Sequence, residues 1–183
     1  MINSRFGLLF NAEKETNQLY IASRLKYENI RDTIKSRIIS RPRVMLGLPY
    51  NDKWFISPGN SYINTLIEDA GGEYIWRNYS SNESMPLSIE SVFREALNSD
   101  FWLNIGNVGT KEELLAIDSR FKNLPPVYNG QLYNNIKRKN TRGGNDYWES
   151  GAISPQLVLE DIASILHPEL IDNHKLKYYL KVD

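Results

Sequence analysis

Short apolar runs alternate with segments of helical periodicity along most of this chain of 183 residues. Residues 43–48 (RVMLGL), bounded by prolines, are typical of a strand buried on both faces of a parallel sheet. Further short strands are predicted at 74–76, 100–105, 127–128 and 132–133, with helical patterns between most of them and a last helix from Pro155 to Leu166. The alternation predicts an α/β fold: a three-layer, Rossmann-like lobe with a mostly parallel central sheet, which binds ligands beyond the carboxyl ends of its strands.

A stretch free of Gly and Pro from Ala12 to Ile39 precedes the first strand. Its apolar residues recur three or four positions apart on one helix face, at Tyr27, Ile30, Ile34 and Ile38. At about 1.5 Å per residue this helix is roughly 40 Å long, which suits a strut between two bodies. We therefore divide the chain into a linker helix, residues 1–40, and an α/β lobe, residues 41–183.

Composition removes several classes of function. The 22 basic and 22 acidic residues give a formal net charge of zero, so the positive field on which nucleic-acid binding depends is missing. The chain contains no cysteine, which excludes disulfides, thiolate metal sites and cysteine nucleophiles. No apolar run approaches the roughly 18 residues of a membrane-spanning helix, and residues 1–10 lack the pattern of a signal peptide. We expect no nucleic-acid partner.

Three aromatic residues, Tyr50, Trp54 and Phe55, lie in the loop predicted after the first strand, over residues 50–60. In a doubly wound sheet this loop lies at the ligand edge, where stiff aromatic side chains bury much area at little rotamer cost. We predict that the three residues contact a large hydrophobic or conjugated ligand. The alternative is that Trp54 and Phe55 only cover the end of the sheet.

A second loop, residues 143–151, combines two acids with two aromatic residues before the last helix. Asp146 and Glu149 suit an acid/base pair of the glycosidase kind with Trp148 stacking on a sugar, although that mechanism needs a fixed carboxyl separation. The other two interpretations of this loop are ligand contact and a structural role, in which Asp146 caps a turn and the aromatic residues anchor the helix. The ligand-contact hypothesis for this loop comprises Asn145, Asp146, Tyr147, Trp148 and Glu149.

Two further polar side chains are candidate ligand contacts. Asn107 follows a predicted strand and can donate from its amide, and Arg142 can pair with an anionic group. His167 and His174 have no carboxylate at metal-ligand spacing, and no serine lies in a nucleophile-elbow motif. We expect no catalytic residue, no metal site and no cofactor. We therefore expect that the protein is not an enzyme.

Several short segments follow one another along the chain. The ordered set is more specific for one protein family than any single segment is. They are 41–46 (RPRVML), 54–61 (WFISPGNS), 69–72 (DAGG), 87–90 (LSIE), 98–100 (NSD), 124–130 (LPPVYNG), 143–151 (GGNDYWESG) and 167–170 (HPEL). Together they resemble the C-terminal lobe of the helical-backbone substrate-binding proteins of ABC importers for iron-siderophores, haem and cobalamin. The segment 143–151 is most similar to a branch found in Bacteroidetes-type bacteria.

In that family one long rigid helix joins two α/β lobes, and a monomer carries the ligand between them to a membrane permease. The resemblance implies that residues 12–39 are this helix, that the N-terminal lobe is absent from this chain, and that the protein faces the periplasm, free or as a lipoprotein. It implies an iron-siderophore, haem or corrinoid ligand, facing residues 146–149, Trp54 and Phe55. The family's docking acid for the permease is missing from residues 58–61 (PGNS). A carbohydrate-active enzyme and a partner-binding surface module are the alternatives.

Overall fold

The computed structural model describes residues 13–171 and 173–183, so the predicted helix start at Ala12 lies outside it. The helices are α1 (Glu13–Arg37), α2 (Tyr62–Asp69), α3 (Ile89–Ala96), α4 (Lys111–Ile117), α5 (Pro125–Tyr128), α6 (Ser150–Ile153) and α7 (Pro155–Leu166), with a 3-10 helix at Ser119–Asn123. The strands are β1 (Arg43–Leu46), β2 (Pro49–Tyr50), β3 (Lys53–Ile56), β4 (Glu73–Tyr74), β5 (Met85–Ser88), β6 (Phe101–Leu103), β7 (Leu132–Asn134) and β8 (Leu180–Lys181).

Five of these strands form the central sheet, in the order β4-β1-β6-β7-β8. Strand β1 is parallel to β4 and β6, and β6 is parallel to β7, whereas β8 closes the edge antiparallel to β7. Parallel neighbours need crossover connections, which the helices supply. The prediction of an α/β fold with a mostly parallel sheet and a long preceding helix is confirmed.

Strand β1 explains why the sheet is covered on both faces. Val44 and Leu46 enter a core shared with α1, α2 and α7, whereas Met45 between them enters a second core shared with α3, α4 and α5. Successive side chains of a strand point to opposite faces, so a fully apolar run needs a layer of helices on each side. The three-layer arrangement follows from this strand.

Helix α1 is attached to the lobe through its C-terminal half. Ile30 and Ile34 are buried in the first core, as the periodicity predicts. The hydroxyl of Tyr27 donates to the Asp69 carboxylate at the end of α2, at 2.6 Å. Propensity alone gives a long isolated helix little stability in water, so these contacts with α2 and α7 hold it in place.

The segment 50–60, predicted as a loop, contains a β-hairpin instead. Strands β2 and β3 pair antiparallel around Asn51 and Asp52, which both have left-handed backbones, at φ 48° and 61°. Asn and Asp tolerate this conformation, and such two-residue turns match the twist of the flanking strands. Strand β3 also pairs with β5, which completes a small antiparallel sheet. The prediction was wrong because this turn lacks the glycine that usually marks it.

The prediction of a strand at 127–128 is also wrong, whereas the strand predicted at 132–133 is confirmed as β7. Residues 127–128 form the end of α5, whose first turn contains proline. Proline suits the first helical turn, where its missing N–H is not needed. The two prolines therefore start a short helix here, although Val and Tyr favour strands by propensity.

Buried tyrosines predict a loss of stability in alkaline solution. Burial raises the pKa of Tyr74, Tyr147 and Tyr179 above the ordinary value of 10.0. A raised folded-state pKa contributes stability that is complete below the unfolded value of 10.0 and is lost as the pH rises through the folded value. We expect phenolate absorbance to rise together with loss of circular dichroism above about pH 10.

The control for this alkaline titration is Tyr50→Phe, because Tyr50 is 69% exposed and should leave the unfolding midpoint unchanged. Titration of all tyrosines near their ordinary pKa while the circular dichroism stays native would contradict the prediction.

Candidate functional site

The carboxyl ends of β6 and β7 meet at one edge of the central sheet, and a cavity lies there. Its volume is about 260 Å³. The residues that line it are Asn104, Gly106, Asn107, Asn135, Ile136, Lys139, Gly143, Asn145 and Trp148. This is the edge at which open α/β sheets bind ligands. The cavity is therefore the candidate binding site.

The loop after β6 forms one side of this cavity. Asn104 and Gly106 both have left-handed backbones, at φ 56° and 58°. The tight turn keeps the chain close to the sheet edge, and a side chain in place of Gly106 would also approach Leu48 to 3.2 Å. Asn104 accepts a hydrogen bond from the Tyr179 hydroxyl at 2.8 Å. The C-terminal segment thus fixes one amide of the site.

The segment 134–145 forms the other side of the cavity and is internally hydrogen-bonded. Lys139 and Asn145 form an isolated antiparallel bridge. Between them the Asn140 side chain accepts from the backbone N–H groups of Arg142 and Gly144, at 2.9 and 3.0 Å. Asn145 donates to the backbone carbonyl of Asn135 at 3.0 Å. The loop is thereby attached to the residue that directly follows β7.

Buried tyrosines support the floor of the site. Tyr147 is only 4% exposed, and its ring meets those of Tyr178 and Tyr179 edge to face. Burial raises its pKa, and the hydrogen-bonding groups of Tyr179, Asn104 and Asn135 partly offset this rise. The prediction that Tyr147 contacts ligand is corrected, because its side chain points into the core. Trp148, the next residue, is 68% exposed and lines the cavity.

Asp146 and Glu149 do not have the properties of a glycosidase pair. Asp146 forms an ion pair with Arg138, and the hydrogen bond from that guanidinium holds the pKa of Asp146 below its usual range. A general acid needs the opposite shift, so that it holds a proton near neutral pH. Glu149 is exposed at the start of α6, and neither carboxylate lines the cavity. Asp146 therefore stabilises the loop, as in the structural alternative.

The hairpin aromatics are divided between the core and the surface. Trp54 has no exposed surface, donates from Nε1 to the Leu46 carbonyl at 2.9 Å and packs against Trp102. The prediction that Trp54 contacts a ligand is therefore corrected. Tyr50 and Phe55 are 69% and 51% exposed, but they do not line the cavity.

Of the predicted site residues, the structure brings Asn107, Asn145 and Trp148 together around the cavity. Arg142 is exposed in the same loop, next to the lining residue Gly143. Sequence reasoning missed Asn135 and Lys139. The available signal for Asn135 was its position just beyond the strand predicted at 132–133, where a parallel sheet presents its ligand edge.

A larger groove, of about 580 Å³, lies between α1, the start of α2 and α6. Tyr20, Tyr27, Tyr62 and Ile153 are among the residues that line it. It is more apolar than the cavity at the sheet edge, and its walls are helix faces, not strand ends. We therefore assign the candidate site to the sheet edge.

Two negative findings apply to residues 13–171 and 173–183. No helix in these ranges is both long and apolar enough to span a bilayer. No group of three or more acidic or histidine side chains there is arranged to hold a metal ion.

Comparison with solved structures places this geometry among known folds. The TroA-like periplasmic binding protein FepB from Veillonella parvula matches 98% of the chain with a TM-score of 0.66 and 15% identity. An ABC transporter solute-binding protein from Sulfurospirillum deleyianum matches 96% with a TM-score of 0.70 and 15% identity. The chain has the fold of one lobe of a TroA-like binding protein. The chain also matches the periplasmic heme-binding protein RhuT from Roseiflexus sp. RS-1, over 90% of its length, with a TM-score of 0.64 and 16% identity.

Sequence comparison finds two lipoproteins of Methanocaldococcus jannaschii, both described as uncharacterized. One is 22% identical over 96% of this chain, and the other is 28% identical over 78%. The chain spans 40% and 33% of the lengths of these relatives, and 60%, 52% and 60% of the three solved chains. No family model matches the chain.

Proposed function

We propose that this TroA-like lobe belongs to the substrate-binding component of an ABC importer. The component captures an iron-siderophore, haem or cobalamin-like ligand between two lobes and delivers it to a membrane permease. The observation that carries the proposal is the cavity at the carboxyl edge of the sheet, in a fold shared with periplasmic solute-binding proteins. One of these is described as heme-binding, and another belongs to an Fe3+-hydroxamate transport system.

The chemistry of the cavity suits capture better than turnover. Trp148 offers an exposed aromatic surface beside the amides of Asn107 and Asn145. A stacking surface combined with a few convergent hydrogen-bonding groups is the usual composition of a small-molecule site. These three residues are the proposed first contacts, and Tyr50, Phe55, Arg142 and Glu149 are proposed contacts at the rim of the ligand site.

The arrangement of the whole protein follows from the same proposal. Helix α1 serves as the rigid connection to a second lobe, which supplies the opposite wall. The two relatives from Methanocaldococcus jannaschii are described as lipoproteins, which supports a protein that is lipid-anchored and faces the periplasm or its equivalent. The permease is the proposed membrane partner.

Ligand binding by the whole protein should quench the fluorescence of Trp148. Titration with a ferric hydroxamate, a ferric catecholate, haemin and cyanocobalamin should give saturable quenching with at least one of them. Trp148→Phe should remove most of this quenching, because the exposed indole lies beside the bound molecule. The matched control is Trp76→Phe, since Trp76 packs against Tyr74 away from the cavity. Calorimetry that detects no binding of any of the four compounds would refute the proposed function.

A further inference from the structure

The connection between β4 and β5 contains a sequence pattern that lies outside the candidate site. Two of the chain's asparagines are followed two positions later by Ser or Thr, with a residue other than proline between, and both occur in this connection. The triplets are Asn78-Tyr79-Ser80 and Asn82-Glu83-Ser84. Asn-x-Ser/Thr is the acceptor pattern for N-linked glycosylation of secreted and surface proteins. Because the pattern is short, its structural context decides whether it can be used.

The connection, residues 75–84, consists of turns and bends at the protein surface. Asn78, Ser80, Asn82 and Ser84 are all exposed. Within the described ranges, no hydrogen bond engages the side-chain amide of either asparagine or the hydroxyl of Ser80 or Ser84. None of the four residues lines the cavity at the sheet edge. Both acceptor amides are therefore open to a modifying enzyme, and neither belongs to the candidate binding site.

The backbone around Asn78 is fixed by the rest of the lobe. The Tyr79 carbonyl accepts from the backbone N–H of Gly59 at 2.7 Å, and the Tyr79 N–H donates to the Trp76 carbonyl at 2.9 Å. A side chain in place of Gly59 would overlap the carbonyl oxygen of Arg77, so the two backbones are in direct contact there. A glycosyltransferase has to draw its acceptor triplet into its own active site. At Asn78 this requires breaking both backbone hydrogen bonds.

The backbone around Asn82 is held by side chains. The Glu83 N–H donates to the Ser81 hydroxyl oxygen at 3.0 Å, and the Glu83 carbonyl accepts from the Tyr79 hydroxyl at 3.1 Å. Both contacts are exposed, and β5 begins only at Met85. Segments with few packed contacts and exposed hydrogen bonds open locally at little cost in free energy. The second triplet can therefore leave the surface without disturbing a sheet or a helix.

We propose that Asn82 is an N-glycosylation site and is modified in preference to Asn78. The sugar donor is an oligosaccharide carried on a lipid phosphate. A bond forms between Nδ2 of Asn82 and the anomeric carbon, the bond from that carbon to the phosphate oxygen breaks, and the phosphate leaves with the electron pair. Nδ2 loses one proton to the solvent, and nothing is oxidised or reduced. The inference rests on the location outside the cytoplasm that is part of the proposed function.

The test uses the mature protein purified from its own host. Trypsin cleaves after Arg77 and Arg94, so one peptide, residues 78–94, contains both acceptors. We expect tandem mass spectrometry to find this peptide heavier by one or more sugar residues, with the added mass on Asn82. Ser84→Ala should abolish the addition at Asn82, and Ser84→Thr, which keeps the acceptor pattern, should retain it.

Ser81→Ala is the matched control, because Ser81 lies between the two triplets and belongs to neither. This variant removes the hydrogen bond to the Glu83 N–H and should leave the sugar in place. An unmodified peptide in the mature protein, or a sugar on Asn78 with Asn82 bare, would overturn the inference. Titration of the same preparation with the four ligands named above tests the proposed function separately. Unmodified protein recovered from the cytoplasm that binds none of the four would overturn both.

Discussion

Replacing Trp54 by alanine is expected to lower the free energy of unfolding by about 3–5 kcal/mol, the range for a large aromatic residue deleted from a core. The indole has no exposed surface and packs against Trp102 and Phe121, with ring centroids 5.5 and 6.1 Å away. Its hydrogen bond to the Leu46 carbonyl ties the hairpin to strand β1, and this bond is lost as well. Urea denaturation of the 183-residue chain, followed by circular dichroism, measures the change.

Phe55→Ala is the matched control for this variant, because the two residues are adjacent on the same strand. Phe55 points to the opposite face and is 51% exposed. Its truncation should change the free energy of unfolding by less than about 1 kcal/mol. Equal effects of the two variants would contradict the assignment of Trp54 to the core.

Asp161→Asn is expected to lower the free energy of unfolding by about 3–5 kcal/mol, the effect of breaking a buried charged network. The Asp161 carboxylate is fully buried on α7 and accepts from the backbone N–H groups of Lys177, Tyr178 and Tyr179, at distances from 2.7 to 3.2 Å. Its Oδ1 also lies 2.6 Å from Nε2 of His174. An amide in its place presents N–H groups where acceptors are needed.

Glu160→Gln is the neighbouring control. The Glu160 side chain is 22% exposed and pairs with Lys26 near the surface. Such pairs contribute about 1 kcal/mol or less, so this variant should stay close to wild type in urea denaturation. If Asp161→Asn were no less stable than Glu160→Gln, the buried carboxylate would not be what holds the C-terminal segment.

The Asp161 network also connects stability to the candidate site. The carboxylate fixes the backbone of Tyr179, and the Tyr179 hydroxyl fixes Asn104 at the cavity. Sequence reasoning did not single out Asp161. An aspartate next to Glu160 in the helix resembles an ordinary surface residue until the tertiary structure brings the backbone of residues 177–179 against it.

The candidate site was predictable to the extent that it depends on strand ends. Asn107 was predicted because it follows a strand, and Trp148 because it lies in an aromatic loop before the last helix. Lys139 was missed because a lysine in a polar loop has no distinguishing pattern. Its place at the cavity depends on the bridge to Asn145, which forms only when the loop folds back on itself.

The α/β fold and the long helix were determined by the sequence alone. Apolar runs such as 43–48 can be buried on both faces only between two layers of helices, and the spacing of Ile30 and Ile34 allows only a helix packed on one side. The tertiary structure alone decided which aromatic residues face outward. Because strand side chains alternate, the hairpin turn at Asn51 and Asp52 buries Trp54 and exposes Phe55, and the packing of Tyr178 and Tyr179 draws Tyr147 inward while Trp148 remains at the cavity.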